Sequence, residues 1–222
     1  MSEGAKSYWD FIEPRWDIFN IHDGPEAFEA SIREAPRPVV LLYAAHFCQS
    51  EVNNGGFLQF FWNNTGVLAP EAIEGYRVIG MPMMASLLEA AALCLGTPYP
   101  RKRDDRWDAL LVASGQTSRE LKETFEKQSN LYLAFAEATK GLPFDSLDKQ
   151  FWAAAKTENG GFEAAATHYA QSPFLIQQGT SITDIRGFRQ DLQSRHSSLK
   201  TTAGPSTRRA PHDFAQDDTG CC

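Results

Sequence analysis

The sequence predicts an all-α protein: a single compact multi-helix bundle over residues 1–180, followed by a polar, disordered C-terminal tail over residues 181–222. Three observations carry this reading. Apolar side chains recur at spacings of three and four through most of the chain, the mark of helices with one buried face. Clusters of Asn, Gly and Pro separate these stretches where helices end. No segment shows the sustained apolar–polar alternation of a half-buried strand.

Taken in order, Ser7 to Ile21 carries Trp9, Ile12, Trp16 and Phe19 on one helical face, with Pro14 predicting a kink or a fresh start near Glu13. Asp23-Gly24-Pro25-Glu26 reads as a helix start, with Pro25 in the first turn, and the helix runs to about Glu34 before Pro36 and Pro38. Val39 to Val52 is apolar on nearly all sides and is too long for an ordinary strand, so it predicts a buried central helix. Asn53-Asn54-Gly55-Gly56 ends it, and Phe57 to Trp62 forms a further helical piece closed by Asn63-Asn64-Thr65-Gly66. Helices are expected at about 70–79 and 82–95, then at 105–113 and 118–139 beyond a Pro98/Pro100 connector. A last stretch, 145–169, breaks at Asn159-Gly160-Gly161. Past about Ser181 the apolar period is lost. From Arg195 onward the chain holds too few core-forming residues to offset the entropy of ordering it.

Five Trp and fifteen Phe supply the core, each able to bury on the order of 150–250 Å². The net charge of −7 argues against direct nucleic-acid binding, which depends on Lys and Arg displacing counterions. Most of the excess lies in the first hundred residues, with about 12 acids against 5 bases. A basic partner is therefore more compatible with the chain than an acidic one. Cys48 and Cys94 sit in apolar runs as small hydrophobes, and Cys221-Cys222 suggests neither a disulfide framework nor a metal site. The opening residues show no signal peptide. The longest apolar run, Met81 to Leu95, is interrupted by Pro82 and Glu89 and is too short to cross a bilayer. The expected location is the cytoplasm, with no membrane partner.

The most distinctive segment runs from Cys48 to Gly66. Gly55 and Gly56 allow two helices to meet at a sharp angle, and Phe57, Phe60 and Phe61 can anchor both. This reads as a hinge and core hub. A second reading makes Glu51, Asn53, Asn54 and Gln59 a polar pocket for a small molecule, in a binding or hydrolytic protein. No phosphate-cradling loop, His-Glu-x-x-His pattern or paired-Cys metal set is present, so no cofactor, no metal and no enzymatic activity are expected. His46 and Cys48 are two apart on a helix and point away from each other, which argues against a nucleophile pair. The four residues Asn54-Gly55-Gly56-Phe57 recur as Asn159-Gly160-Gly161-Phe162, read as two uses of one turn chemistry and not as a duplication.

The remaining candidate is a series of acids. Asp10, Glu13 and Asp17 fall on helical spacings, and Glu26 and Glu29 continue the series with Asp23. On a helix such spacing places a carboxylate roughly every 5–6 Å, a distance from which a few stripes could imitate the phosphates of one face of a duplex.

These residues also carry a resemblance. Tyr8 to Pro14, Asp23 to Glu26, His46 to Phe57 with the following Gln59-Phe60-Phe61, and Gly66 to Ala72 resemble the signatures of the DNA-mimic-protein-nineteen-like family, most strongly over Tyr8 to Pro100. The resemblance implies an all-helical fold and a homodimer. In the family's namesake it implies acidic side chains that imitate DNA and occupy a DNA-binding regulator. The expected function is thus non-catalytic macromolecular interaction, with a basic DNA-binding protein as partner through Asp10, Glu13, Asp17, Glu26 and Glu29. The alternatives are the small-molecule reading of the Glu51 junction and an immunity-like protein that blocks a toxin.

Overall fold

The computed structural model describes residues 7–13, 19–128 and 130–172. Among the described residues ten α-helices follow one another and no strand occurs. They are α1 (Trp9–Ile12), α2 (Pro25–Glu34), α3 (Arg37–Trp62), α4 (Ala69–Val78), α5 (Pro82–Leu93), α6 (Arg103–Ala113), α7 (Ser118–Gln128), α8 (Leu131–Ala138), α9 (Phe144–Thr157) and α10 (Phe162–Ala170). Short 3-10 turns, Asn64–Leu68 and Glu158–Gly160, precede α4 and α10. The expected tail at 181–222 and the candidate Asp17 lie outside the described residues.

α3 is the axis of the bundle. Val39, Val40, Leu41, Leu42, Tyr43, Ala44 and Ala45 are all buried, so these two turns are enclosed on every side, and Cys48 and Val52 continue the buried face. Each fully buried aliphatic or aromatic side chain here contributes roughly 1.5–3 kcal/mol. Its near neighbour is α4, and the approach is close because Gly75 has no side chain. A Cβ there would lie 2.4 Å from the Leu41 carbonyl oxygen. Beside it the Tyr76 hydroxyl donates to the Ala45 carbonyl at 2.9 Å, satisfying a polar tip inside the core.

Three expectations change. Of the helix expected over Ser7 to Ile21, the described residues are α-helical at Trp9–Ile12, and Phe19 to Ile21 form irregular chain whose apolar side chains Phe19 and Ile21 are still buried. The expected kink at Pro14 lies outside the described residues. The single helix expected at 118–139 is two, because Asn130 caps α8: its side chain accepts from the Leu133 amide at 3.0 Å. The central helix and its successor form one bent element, α3, which begins two residues earlier than expected with Pro38 in its first turn.

Gly75→Ala is expected to cost about 1–3 kcal/mol, because the new methyl meets backbone that cannot retreat without parting α3 from α4. Urea unfolding of the variant against the parent chain measures it.

Candidate functional site

The segment singled out by sequence is the bend of α3. Gly55 (φ −155°, ψ 25°) and Gly56 (φ 74°, ψ −176°) leave helical geometry, so the ladder of the first half stops and a second half begins at Phe57. Both cut ends are taken up by α9. Asp148 accepts a hydrogen bond from the Phe57 amide at 2.8 Å, acting as a cap supplied from another helix. One turn along, the Trp152 indole donates to the Val52 carbonyl at 2.9 Å. Gly56 is required twice over: its φ lies in the left-handed region, and a Cβ would stand 2.2 Å from the Asp148 carboxylate. Asp148 is only 8% exposed. Burial pushes its pKa up to about 6, with the Phe57 amide opposing the rise and Asp145 adding to it.

Glu51 ties the same bend from the other side. Its carboxylate accepts from Gln59 Nε2 at 2.8 Å, from Asn63 Nδ2 at 3.0 Å and from Thr65 Oγ1 at 2.9 Å. It thus links the first half of α3, the second half and the following 3-10 turn. Of the proposed pocket, Glu51 and Gln59 meet, whereas Asn53 and Asn54 are exposed and Phe57 and Phe60 are fully buried in the core. The structure adds Asn63 and Thr65, which sequence reasoning passed over as helix-closing residues. With three donors on it, the Glu51 carboxylate has its hydrogen-bonding capacity taken up within the bend.

The C-terminal end of α3 is closed by α6. Arg106, 1% exposed, donates through Nε to the Phe61 carbonyl at 3.0 Å and through Nη2 to the Asn63 carbonyl at 2.8 Å. A third bond reaches the Arg101 carbonyl. A cation at a helix C-terminus meets the negative end of the helix dipole and the carbonyls that lack amide partners. Burial nonetheless lowers the guanidinium pKa, with the Tyr99 side chain opposing that shift. Trp107 donates to the Trp62 carbonyl at 3.1 Å and stacks on Trp62 with centroids 4.0 Å apart. Nothing in the local sequence marks Arg106 as buried; only the meeting of α3 and α6 makes it so.

The repeated Asn-Gly-Gly-Phe motif does share its turn chemistry in part. Gly56 (φ 74°) and Gly161 (φ 94°, ψ 159°) have similar conformations just before a buried Phe that opens a helix. The preceding residues differ, since Asn159 is itself at φ 50° and its side chain donates to the Ile79 carbonyl at 3.1 Å. Glu158 beside it caps α5, accepting from the Met83 and Met84 amides at 2.7 and 3.1 Å.

His46 and Cys48 are kept apart. The His46 ring shares a hydrogen bond of 3.1 Å with the Tyr8 hydroxyl and lies against Trp9 and Phe47. Burial lowers its pKa to about 4. Cys48 is fully buried beside Tyr76, and burial pushes its thiol up, so it is not a thiolate at neutral pH. Among the described residues no group of three His, Cys, Asp or Glu is arranged to hold a metal ion.

The acids distribute unevenly. Asp10 accepts from the Ser7 amide at 2.8 Å, a local cap, and Glu13 is exposed just past a helix of four residues. Between Phe19 and Asp23 the described backbone is not helical, so α2 starts afresh with Glu26 and Glu29. On α2, Glu26 and Glu29 are exposed, but Glu29 lies 3.4 Å from Arg101 Nε. Arg101 in turn makes a two-pronged pair with buried Glu71 at 2.8 and 3.0 Å. Glu26 borders a groove of about 460 Å³ that also takes in Lys102, Arg103, Asp104 and Asp105 at the start of α6. Asp104 and Asp105 were missed as partners of the α2 acids because they are distant in sequence.

Two outcomes check this account. Gly56→Ala is expected to lose about 2 kcal/mol or more from strain and from the clash with Asp148. Gly55→Ala loses less, since its Cβ meets the side chain of Gln59, whose far end can swing away; paired urea titrations separate the two. For His46, whose folded pKa lies below its ordinary 6.5, stability present above pH 6.5 is lost as pH falls toward 4. His46→Gln should flatten that acid limb in unfolding midpoints.

No curated protein and no solved structure matches the chain. A family profile described as DMP19-like protein matches residues 33–172. The span takes in the bent helix α3, its Asn-Gly-Gly-Phe motif and the α9 residues that hold it; the Tyr8 and Asp23 segments precede it. With well over half of its length matched, the chain belongs to the DMP19-like protein family.

Proposed function

We propose that this chain is a non-catalytic interaction protein of the DNA-mimic type, which offers acidic side chains to a basic surface on a DNA-binding protein. One observation carries the reading. Exposed carboxylates from two helices far apart in sequence, Glu26 of α2 and Asp104 and Asp105 of α6, border one surface groove. Four basic residues line the same groove: Arg101 pairs with Glu71 and Glu29, buried Arg106 is held by the carbonyls that end α3, Arg103 lies over the Trp107 ring at 4.7 Å, and Lys102 is exposed. Family membership and the net charge of −7 support the same reading. The titratable groups of the α3 bend serve the scaffold, which favours surface recognition over chemistry at that bend. Among the described residues no helix is long and apolar enough to cross a membrane. We place the protein in the cytoplasm, with a homodimer as the assembly to test.

The experiment is capture of DNA-binding proteins on the immobilised chain, with duplex DNA as competitor and a salt series. Duplex should release the captured proteins, and rising salt should weaken capture, since exposed charges are screened. The triple variant Glu26→Gln, Asp104→Asn, Asp105→Asn should bind about tenfold more weakly. Capture indifferent to duplex, to salt and to the triple variant overturns the reading.

A further inference from the structure

The contact of α9 with the α3 bend has a property that a plain structural tie lacks: its acceptor is a buried carboxylic acid whose charge state is set by pH. We propose that Asp148 and Trp152 form a proton-sensitive clasp on the α3 bend, closed most tightly when Asp148 is protonated and loosened when it ionises.

The geometry supplies the hinge. Gly55 and Gly56 break the helical ladder, Asp148 holds the Phe57 amide on one side, and Trp152 holds the Val52 carbonyl on the other. One turn of α9 therefore spans the break, and the two halves of α3 are joined across it through side chains of another helix. Trp152 stands at 36% exposure and Asn53 and Asn54 are exposed, so this side of the bend reaches solvent. A local opening there need not unfold the bundle.

The charged surroundings favour the neutral acid. On α9 itself Asp145 adds negative charge, while Lys149 is exposed. On α3 the Phe57 amide favours the ionised acid and partly offsets burial, and on α8 Tyr132 lies within electrostatic reach of Asp148 and, separately, of Glu51. The other elements against α9 bring charges already placed elsewhere. Glu89 of α5 pairs with Arg77, Glu158 of the 3-10 turn caps α5, and Glu163 and His168 of α10 line a separate surface groove. A carboxylate pulled from water, with one further acid, Asp145, beside it, is raised in pKa, here to about 6 from an ordinary 3.8. The sign follows from linkage. An opened clasp exposes Asp148 to water and returns it toward 3.8, so the closed state binds the proton more tightly. Closing is favoured below pH 3.8, weakens as pH rises through the interval to about 6, and levels off above it.

The test is NMR on the full chain with the isosteric variant Asp148→Asn, which keeps the acceptor for the Phe57 amide and cannot titrate. In the parent chain the Phe57 amide and the Trp152 indole N–H should shift together with a midpoint near 6, and neither should titrate there in the variant. Hydrogen exchange reports the opening itself. The exchange rate of the Phe57 amide, divided by that of the variant at the same pH to remove intrinsic base catalysis, should rise by up to about 50-fold from pH 4 to 6.5. The rise should be confined to amides around the bend. A midpoint in the ordinary carboxylate range near 4, or a titration that persists in the variant, overturns the proposal. An equal rise at every core amide also overturns it, because that marks global stability and not a hinge.

Discussion

Everything in this fold depends on one helix that is cut in its middle and held together by another. A break in a buried helix leaves carbonyls without donors and amides without acceptors, and each such group left unpaired costs on the order of 1–3 kcal/mol. Here the carbonyl of Val52 and the amide of Phe57 find Trp152 and Asp148 on α9, one helical turn apart. Glu51 gathers Gln59, Asn63 and Thr65 on a second side of the break. Arg106 and Trp107 close the far end of the same helix. Side chains of α9 and α6 thus do for this helix what a straight helix does for itself, and Glu51 adds a tie from within it.

This economy explains why the most chemical-looking segment of the chain reads as scaffold. A cluster of Glu, Asn and Gln beside an aromatic wall suggests a pocket when viewed along the sequence. In the folded protein the Glu51 carboxylate already accepts three donors, while Phe57, Phe60 and Phe61 face inward. On the surface, exposed acids of α2 and α6 border one groove together with the exposed Lys102 and Arg103. The bend matters to that surface indirectly. The 3-10 turn after α3 supplies Asn64 and Val67 to the groove wall, and Arg106, which closes α3, lines the same groove.

Particular residues show how far sequence reasoning reached. The all-helical class, the buried character of Val39 to Val52, the break at Gly55-Gly56 and the family were legible, because each rests on a local pattern: period, punctuation or motif. The split at Asn130 was overlooked although an N-cap residue stood there, since the apolar period carries across the gap from Leu121 to Phe135. The first helix was drawn too long because its aromatic face continues through Trp16 and Phe19 in sequence even where the backbone beyond Glu13 is no longer helical at Phe19. Asp148 was invisible as the buried cap of the Phe57 amide. One Asp on an amphipathic helix looks like any solvated acid until the helix is docked.

By itself, then, the order of residues settled the helical class and what most segments would become. Helix formation, termination and burial of a face depend on neighbours within one or two turns, and those neighbours are written side by side. Tertiary structure alone decided which acid is buried and which is exposed, which arginine closes a helix and which pairs with a carboxylate. It also decided that Glu26 would share a groove with Asp104 and Asp105. Those outcomes depend on contacts between helices tens of residues apart, where a side chain's dielectric surroundings and hydrogen-bond partners come from chain that no local pattern names.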